Sequence, residues 1–238
     1  MVEELNSSEK LSDELQTLKR TGANLLVVSA EPDEGQICSQ LLGDKERTRR
    51  CLFVPTTIGV NDILDRYLNQ QQTKEFFGII NINTNSSFRT SSDPEKQILN
   101  MSFPNAEIDS DQPWYTEIQE MTDLPAIIEA VQAHLEFFQQ QKPNSSEVRF
   151  CLESIDPYVD ALNEEALFRF LFLLTASIRN INGIGHHHVS TAVPYQTRKL
   201  IQPLYDATIE VKREADHLQQ RWQLHEANIE THWMPVEG

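Results

Sequence analysis

The pair Glu153-Ser154 follows a short alternating stretch and is the first candidate for chemistry in this sequence. Residues 148–152 alternate between apolar and other side chains, as a strand does, and Asp156-Pro157 breaks the pattern. A carboxylate at the end of a buried strand can hold Mg²⁺ through a water molecule. It can instead accept hydrogen bonds from nearby backbone, and we favour this structural role because no lysine or hydroxyl of a nucleotide site accompanies it.

The turn after the apolar run 24–29 stands where a strand–loop–helix unit would bind phosphate. Such a loop has the pattern G-x-x-x-x-G-K-[ST], in which the lysine reaches the phosphates and the hydroxyl holds Mg²⁺. In that register the four fixed places hold Ala30, Gly35, Gln36 and Ile37, with Glu31 at the first variable place, and only the second glycine, Gly35, matches.

The substitutions in this turn remove its phosphate chemistry. Gln36 replaces the lysine and Ile37 replaces the hydroxyl, while Glu31, Asp33 and Glu34 add negative charge. Each carboxylate within about 4–6 Å of a phosphate opposes binding by about 1 kcal/mol or more. We therefore predict a turn that has kept its place, and a protein with no measurable ATP hydrolysis.

Three consecutive histidines, His186 to His188, are the third candidate. On a strand, His186 and His188 point to one face and His187 to the other. Two histidines on one face can ligate a metal only with a third ligand, and Glu153 could come from a neighbouring strand. The interpretation we favour is that they hydrogen-bond to carboxylates at the edge of a sheet, with no metal.

The segments that carry these residues follow the pattern of an α/β fold. Short apolar runs, typical of buried parallel strands, predict strands at 25–29, 52–55 and 78–82. The alternation at 148–152 predicts another strand, and the extended pattern that resumes after the helix predicts a strand at 184–189. Residues 205–211 and 221–229 alternate with period two and predict closing antiparallel strands. We therefore predict a mainly parallel central sheet with helices on both faces.

One helix is predicted in detail. Asn163 is its expected N-cap, with acidic residues in the first turn where the helix dipole favours them. The helix is apolar almost all round, which predicts burial on most sides, and the side chains expected against the sheet are Phe168, Leu171, Phe172 and Leu174.

The length of 238 residues fits one large domain. Residues 1–20 include an amphipathic stretch, which predicts an N-terminal helix, and residues 21–238 are predicted to form the single domain. Residues 83–122 are polar and lack strong periodicity, which predicts a long insertion.

The charge of −16 comes from 36 acidic and 20 basic residues. Such a surface repels nucleic acids and anionic membranes, so we expect neither as a partner. High salt would screen this charge, and our leading explanation is a halophilic archaeal source; the alternative is an ordinary acidic cytosolic protein.

The location expected from the sequence is the cytoplasm. No apolar run reaches the length of about 18 residues that a membrane span needs, and the acidic N-terminus lacks the apolar core of a signal peptide. The cysteines, Cys38, Cys51 and Cys151, show no C-x-x-C spacing and are expected to be buried free thiols.

The order of the elements resembles the RecA/KaiC-like ATPase fold over about residues 20–232. Residues 152–171 read L-E-S-I-D-P-Y-V-D-A-L-N-E-E-A-L-F-R-F-L; with the later G-H-H-H and I-Q-P-L-Y-D-A, they are more similar still to divergent RecA-superfamily proteins of haloarchaea. The resemblance implies a P-loop NTPase-like fold with a degenerate Walker A loop. Glu153-Ser154 is similar to the Walker B end, but residues 81–83 contain no glutamate to act as a base.

Two functions remain open on the sequence. The first is a non-catalytic RecA/KaiC-like domain that acts as a regulatory or signalling partner of another protein or of its own copies, without a cofactor. The alternative is a nucleotide-binding protein or weak ATPase that uses ATP and Mg²⁺ at a non-standard site, formed by Glu153, Asp156 and the histidines at the carboxyl ends of the strands. A DNA-associated recombination role is suggested by the fold alone, and the acidity disfavours it.

Overall fold

A computed structural model describes most of the chain. The described residues are 2–30, 35–43, 49–67, 76–82, 114–140, 147–215 and 217–236. Of the residues singled out above, Glu31, Asp33 and Glu34 lie outside the described residues, as do residues 83–113 of the predicted insertion.

The described strands form one sheet of ten. They are β1 (Ala23–Ser29), β2 (Arg50–Val54), β3 (Phe77–Ile82), β4 (Tyr115–Ile118), β5 (Val148–Leu152), β6 (Ile184–Ser190), β7 (Ala207–Glu214), β8 (His217–Leu224), β9 (Ile229–Glu230) and β10 (Met234–Pro235). Their order across the sheet is β10-β8-β7-β1-β6-β5-β2-β3-β4, with β9 paired to β8.

The sheet is parallel from β7 to β4 and antiparallel where β8 pairs with β7, β9 and β10. The predicted fold class is therefore confirmed, including the five parallel strands and the closing antiparallel strands. The second closing strand begins at residue 217 rather than 221. We did not predict β4, which pairs with β3 within the stretch interpreted as an insertion.

Helices cover both faces of this sheet. They are α1 (Val2–Thr21), α2 (Gln36–Leu42), α3 (Val60–Tyr67), α4 (Leu124–Gln140), α5 (Asp156–Ala161), α6 (Glu164–Asn180) and α7 (Tyr195–Ile201), followed by a 3₁₀ turn at Gln202–Leu204. Within the described part of the chain, no helix has the length and apolar character needed to cross a membrane.

The alternation of side chains along each strand divides the core between the two faces. Leu26, Leu52 and Phe150 point to the face covered by α4, α6 and α7. Leu25, Phe53 and their neighbours point to the opposite face, which α1, α2 and α3 cover. The side chains that point towards α2, some of which form the candidate site described below, therefore all lie on this second face of the sheet.

Helix α6 confirms part of its prediction and corrects another part. Asn163 caps it, because its side-chain oxygen accepts a hydrogen bond from the Ala166 N–H at 2.9 Å. Leu171 is fully buried, but Phe172 is 51% exposed and was wrongly expected against the sheet. The helix lies in an outer layer, so only the face towards the sheet and its flanks can be buried.

Candidate functional site

The candidate site lies at the carboxyl ends of the parallel strands. A cavity of about 330 Å³ opens there between the end of β1, the start of α2 and the ends of β5 and β6. Its wall includes Gly35, Glu153 and Ser154 from the predicted site, together with Cys38, Cys151 and His188. This edge is where α/β sheets bind ligands.

Backbone geometry explains why residue 35 is a glycine. It precedes α2 with a φ of 84°, a conformation that favours glycine, and a Cβ there would collide with the Tyr67 hydroxyl. That hydroxyl lies 3.5 Å from the Gly35 carbonyl oxygen. The one match to the phosphate-binding pattern thus has a structural explanation that involves no phosphate.

The other described residues of the loop offer little to a nucleotide. Ile37 is fully buried against the sheet face that carries Leu25 and Val27, where the pattern requires a hydroxyl. Ala30 and Gln36 are exposed. Buried apolar packing has taken the position that would otherwise bind Mg²⁺.

The Glu153 carboxylate is held by the segment that follows β2. One oxygen accepts hydrogen bonds from the Thr56 N–H at 3.1 Å and the Thr57 N–H at 2.7 Å. The other accepts from the Thr57 hydroxyl at 2.6 Å. The Thr56 hydroxyl, 3.1 Å from the same carboxylate and 2.9 Å from the Ser154 carbonyl oxygen, donates its single proton to one of them.

The residues after Glu153 connect the end of β5 to the end of β6 through hydrogen bonds. The Ser154 hydroxyl accepts a hydrogen bond from the Asp156 N–H at 3.2 Å, and the Asp156 carboxylate accepts one from the Ser190 N–H at 2.9 Å. The Ile155 N–H donates to the His188 carbonyl oxygen at 2.8 Å. The acidic groups at this edge therefore connect neighbouring segments of backbone.

Two thiols and two imidazoles meet on the wall of the cavity. Cys38, Cys151, His186 and His188 each place one ligand atom so that all four atoms lie within 4.8 Å of one another. The Cys38 sulfur lies 3.5 Å from the Cys151 sulfur and 3.1 Å from Nε2 of His186. We expected a carboxylate beside His186, and the structure places a thiol there.

Strand register brings these side chains together. Cys151 of β5 stands directly beside His186 of β6, so both point to the same face, and His188 follows two residues later on that face. Helix α2 crosses the same face and buries Cys38 against it. Cys38, Cys151 and His186 are almost completely buried, while His188 is partly buried.

The surroundings change the acidity of the Cys38 thiol. Burial by itself would raise its pKa, but the hydrogen bond with Cys151 and the charge and hydrogen bonds of His186 and His188 outweigh burial and hold the pKa well below the usual range. Cys51, buried nearby but outside the cluster, has its pKa raised to about 12, mainly by burial. The thiolate is thus favoured at Cys38 and disfavoured at Cys51.

His187 points into the core on the other face. It is fully buried and packs against Phe150 and Tyr205, with ring centroids at 5.3 and 5.2 Å. Burial lowers its pKa to about 3, with smaller contributions from the two neighbouring histidines. A neutral, core-packed imidazole explains this residue without a role in the site.

The comparisons with known proteins place the fold but no activity. A family described as "Family of unknown function (DUF7504)" matches residues 22–211. No functionally curated protein matches the sequence. Among solved structures, the chain is similar to a KaiC-like protein from the hyperthermophilic archaeon Pyrococcus horikoshii OT3, with a TM-score of 0.53, 10% sequence identity and coverage of 91% of this chain and 86% of that chain.

Proposed function

The chain belongs to the DUF7504 family of unknown function and has a KaiC-like RecA fold; from this premise we propose that it is a non-hydrolysing member of that fold, which acts through contact with protein partners. Partners include other proteins or further copies of the chain. A regulatory or signalling role suits such a domain, because it retains the framework of an ATPase without the groups that transfer phosphate.

The buried Ile37 is the observation that carries this proposal. Phosphoryl transfer is achieved by positioning and neutralising the phosphates, and it needs the lysine and the Mg²⁺-binding hydroxyl. At their places the chain has Gln36, which is exposed, and Ile37, which is fully buried. Restoring a magnesium site would require a polar group in the apolar layer between α2 and the sheet.

Glu153 supports the same interpretation. Its two oxygens already accept hydrogen bonds from two backbone N–H groups and a hydroxyl. These hydrogen bonds occupy three of the about four acceptor sites of a carboxylate and leave little capacity for a water molecule on Mg²⁺. Releasing the buried Thr56 N–H to make room would leave that donor unsatisfied at a cost.

Contact with a protein is supported by the outer face of α6. Phe172 and Leu173 are 51% and 39% exposed in the part of the chain that the structure describes, on a helix whose other apolar residues are buried or partly buried. Adjacent exposed apolar side chains of this size are common at protein interfaces.

The nucleotide arm of the test is isothermal titration with ATP and Mg²⁺ in molar KCl, beside a phosphate-release assay. We expect neither binding at micromolar concentrations nor turnover above the blank. Binding or turnover that disappears in Glu153→Ala, in a protein shown by circular dichroism to be folded, would defeat the proposal.

The partner arm uses the exposed face of α6. A tagged wild-type chain and its Phe172→Asp variant are compared for proteins retained from a native high-salt lysate. Ala133→Asp, at an exposed position on α4, is the control that makes the same change of charge. We expect Phe172→Asp alone to lose the specific partner. Equal retention by all three chains would remove α6 from the proposal.

The cavity favours a second candidate, a nucleotide-binding protein or weak ATPase with a non-standard site. Its volume of about 330 Å³ is at the small end of the range for ligand pockets. Among the described residues that line it are two carboxylates, Glu153 and Asp156, and one cation, Arg66. This balance suits a triphosphate poorly, so we rank this function second, and the titration above tests it directly.

A further inference from the structure

The geometry points to a zinc site: Cys38, Cys151, His186 and His188 bind one Zn²⁺ ion that joins α2 to strands β5 and β6. The inference is independent of the proposed loss of ATP hydrolysis, since neither the ligands nor their spacing depend on whether a nucleotide binds.

The separations of the ligand atoms match a tetrahedral ion. With Zn–S bonds of about 2.3 Å and Zn–N bonds of about 2.0 Å, the edges of the tetrahedron are about 3.8 Å between two sulfurs and about 3.5 Å between sulfur and nitrogen. The structure has 3.5 Å between the sulfurs of Cys38 and Cys151 and 3.1 Å between Cys38 and His186. All four ligand atoms lie within 4.8 Å of one another, so the atoms that are farthest apart have to approach by about 1 Å when the ion binds.

The ligand types select the metal. Two thiolates and two imidazoles form the set that structural zinc sites use, whereas Mg²⁺ and Ca²⁺ require oxygen ligands. Four protein ligands close the coordination sphere, so the ion would have no open position for substrate. We therefore assign the site a structural role.

Electrostatics favour the bound ion in this buried place. Two thiolates and two neutral imidazoles balance the charge of Zn²⁺, and a neutral complex avoids the cost of burying separate charges. The core around Cys51 and Cys151 would hold the sulfur ligands away from water.

An entry path exists on the cavity side. Cys38, Cys151 and His188 line the cavity, and His186 lies behind them. The carboxylates of Glu153 and Asp156 line the same cavity and would attract a cation. An ion could therefore reach the cluster from solvent without opening the sheet.

The first experiment is metal analysis of the reduced wild-type protein by inductively coupled plasma mass spectrometry, after growth in zinc-sufficient medium. We expect about one zinc per chain, retained through dialysis against a weak chelator. Less than about a tenth of an equivalent, with no uptake of added Zn²⁺, would overturn the inference, and so would one equivalent of a different metal.

Matched cysteine variants assign the ligands. Cys38→Ala and Cys151→Ala should each lose the zinc, while Cys51→Ala should keep it, because all three remove a buried thiol but only two remove a ligand. Loss of zinc from Cys51→Ala to the same extent, or retention in Cys38→Ala, would contradict the ligand set.

Cobalt substitution tests the site in the wild-type chain, so its result does not depend on whether a cysteine variant folds. The apo wild-type chain, loaded with Co²⁺, should show the intense visible bands of tetrahedral cobalt and a thiolate charge-transfer band in the near ultraviolet. Weak bands of octahedral cobalt would overturn the inference. A thiol titration of the denatured, unreduced protein completes the test, because two missing thiols would reveal a Cys38–Cys151 disulfide in place of a metal site.

Discussion

Glu153 offers a test of whether the acidic end of β5 is a structural or a chemical feature. The substitution Glu153→Ala removes the acceptor for the Thr56 N–H, the Thr57 N–H and the Thr57 hydroxyl. These donors lie in the segment after β2, so the change disconnects that segment from the end of β5. We expect a loss of stability with no change in the rate of ATP hydrolysis.

The magnitude follows from the burial of the donors. Thr56 is only 1% exposed, and an unsatisfied buried N–H costs about 1–3 kcal/mol. Thr57 is exposed, so water can replace the carboxylate at small cost. The free energy of unfolding should fall by about 1–3 kcal/mol, which lowers the Tm by about 3–10 °C for a domain of this size.

The assay is urea and thermal unfolding followed by circular dichroism in molar KCl. Glu136→Ala is the matched control, since it removes an exposed glutamate from α4 and should change the unfolding free energy by less than about 0.5 kcal/mol. Glu153→Gln, which keeps one acceptor oxygen, should fall between the two. If Glu153→Ala unfolds like the control, the hydrogen bonds to Thr56 and Thr57 do not stabilise the fold and the structural interpretation of Glu153 is wrong.

Two further predictions concern the core on the other face of the sheet. Leu171→Ala should reduce the unfolding free energy by about 2–5 kcal/mol and Leu173→Ala by less than about 1 kcal/mol, because Leu171 is fully buried and Leu173 is 39% exposed; similar urea midpoints for the two variants would show that α6 is oriented differently. Burial lowers the pKa of His134 to about 4, below its unfolded value of about 6.5, so its contribution to stability is present above about pH 6.5 and is lost as the pH falls towards 4. Urea unfolding at about pH 7 and pH 5 should therefore show a loss to which His134 contributes about 2 kcal/mol, so the loss should be smaller by about that amount in His134→Gln, where the buried His187 still contributes; an identical loss in the variant would assign the pH dependence to other groups.

Much of the fold could be predicted from local sequence patterns. Buried parallel strands are often short apolar runs, which made β1, β2 and β3 recognisable, while β5 was recognisable by its alternation and β6 by the extended pattern after a helix. The cap at Asn163 was recognisable because its chemistry depends only on residues within one turn. Strand β4 escaped prediction, since it has only four residues and alternates weakly.

The same local sequence patterns could not predict the exposure of Phe172. A helix that is apolar almost all round predicts burial on most sides, but the layer architecture decides how many sides a neighbour covers. In the described residues α6 has the sheet beneath it and α4 beside it, which leaves its outer face open. That open face is where the proposed partner would bind.

The thiol–imidazole cluster shows why sites between distant segments resist prediction. Cys38 lies 113 residues from Cys151 and 148 from His186, so no spacing in the sequence connects them. The signal available in the sequence was the two-residue spacing of His186 and His188, which places both side chains on one face of a strand. It became useful only with the strand order, because β5 must lie beside β6 before Cys151 can join that face.

The acid at the end of β5 illustrates a related ambiguity in sequence motifs. An apolar strand that ends in a carboxylate matches the pattern of a magnesium site. The same carboxylate can instead accept hydrogen bonds from N–H groups that are left free where the adjacent strand of the sheet ends. The donors that decide between these roles, Thr56 and Thr57, lie 97 and 96 residues earlier in the chain. Because a parallel sheet brings the ends of β2 and β5 to the same edge, an acid at that edge can be there for its hydrogen bonds alone. The presence of such an acid is therefore informative about function only together with the lysine and hydroxyl of the loop, and in this chain those two positions hold Gln36 and Ile37.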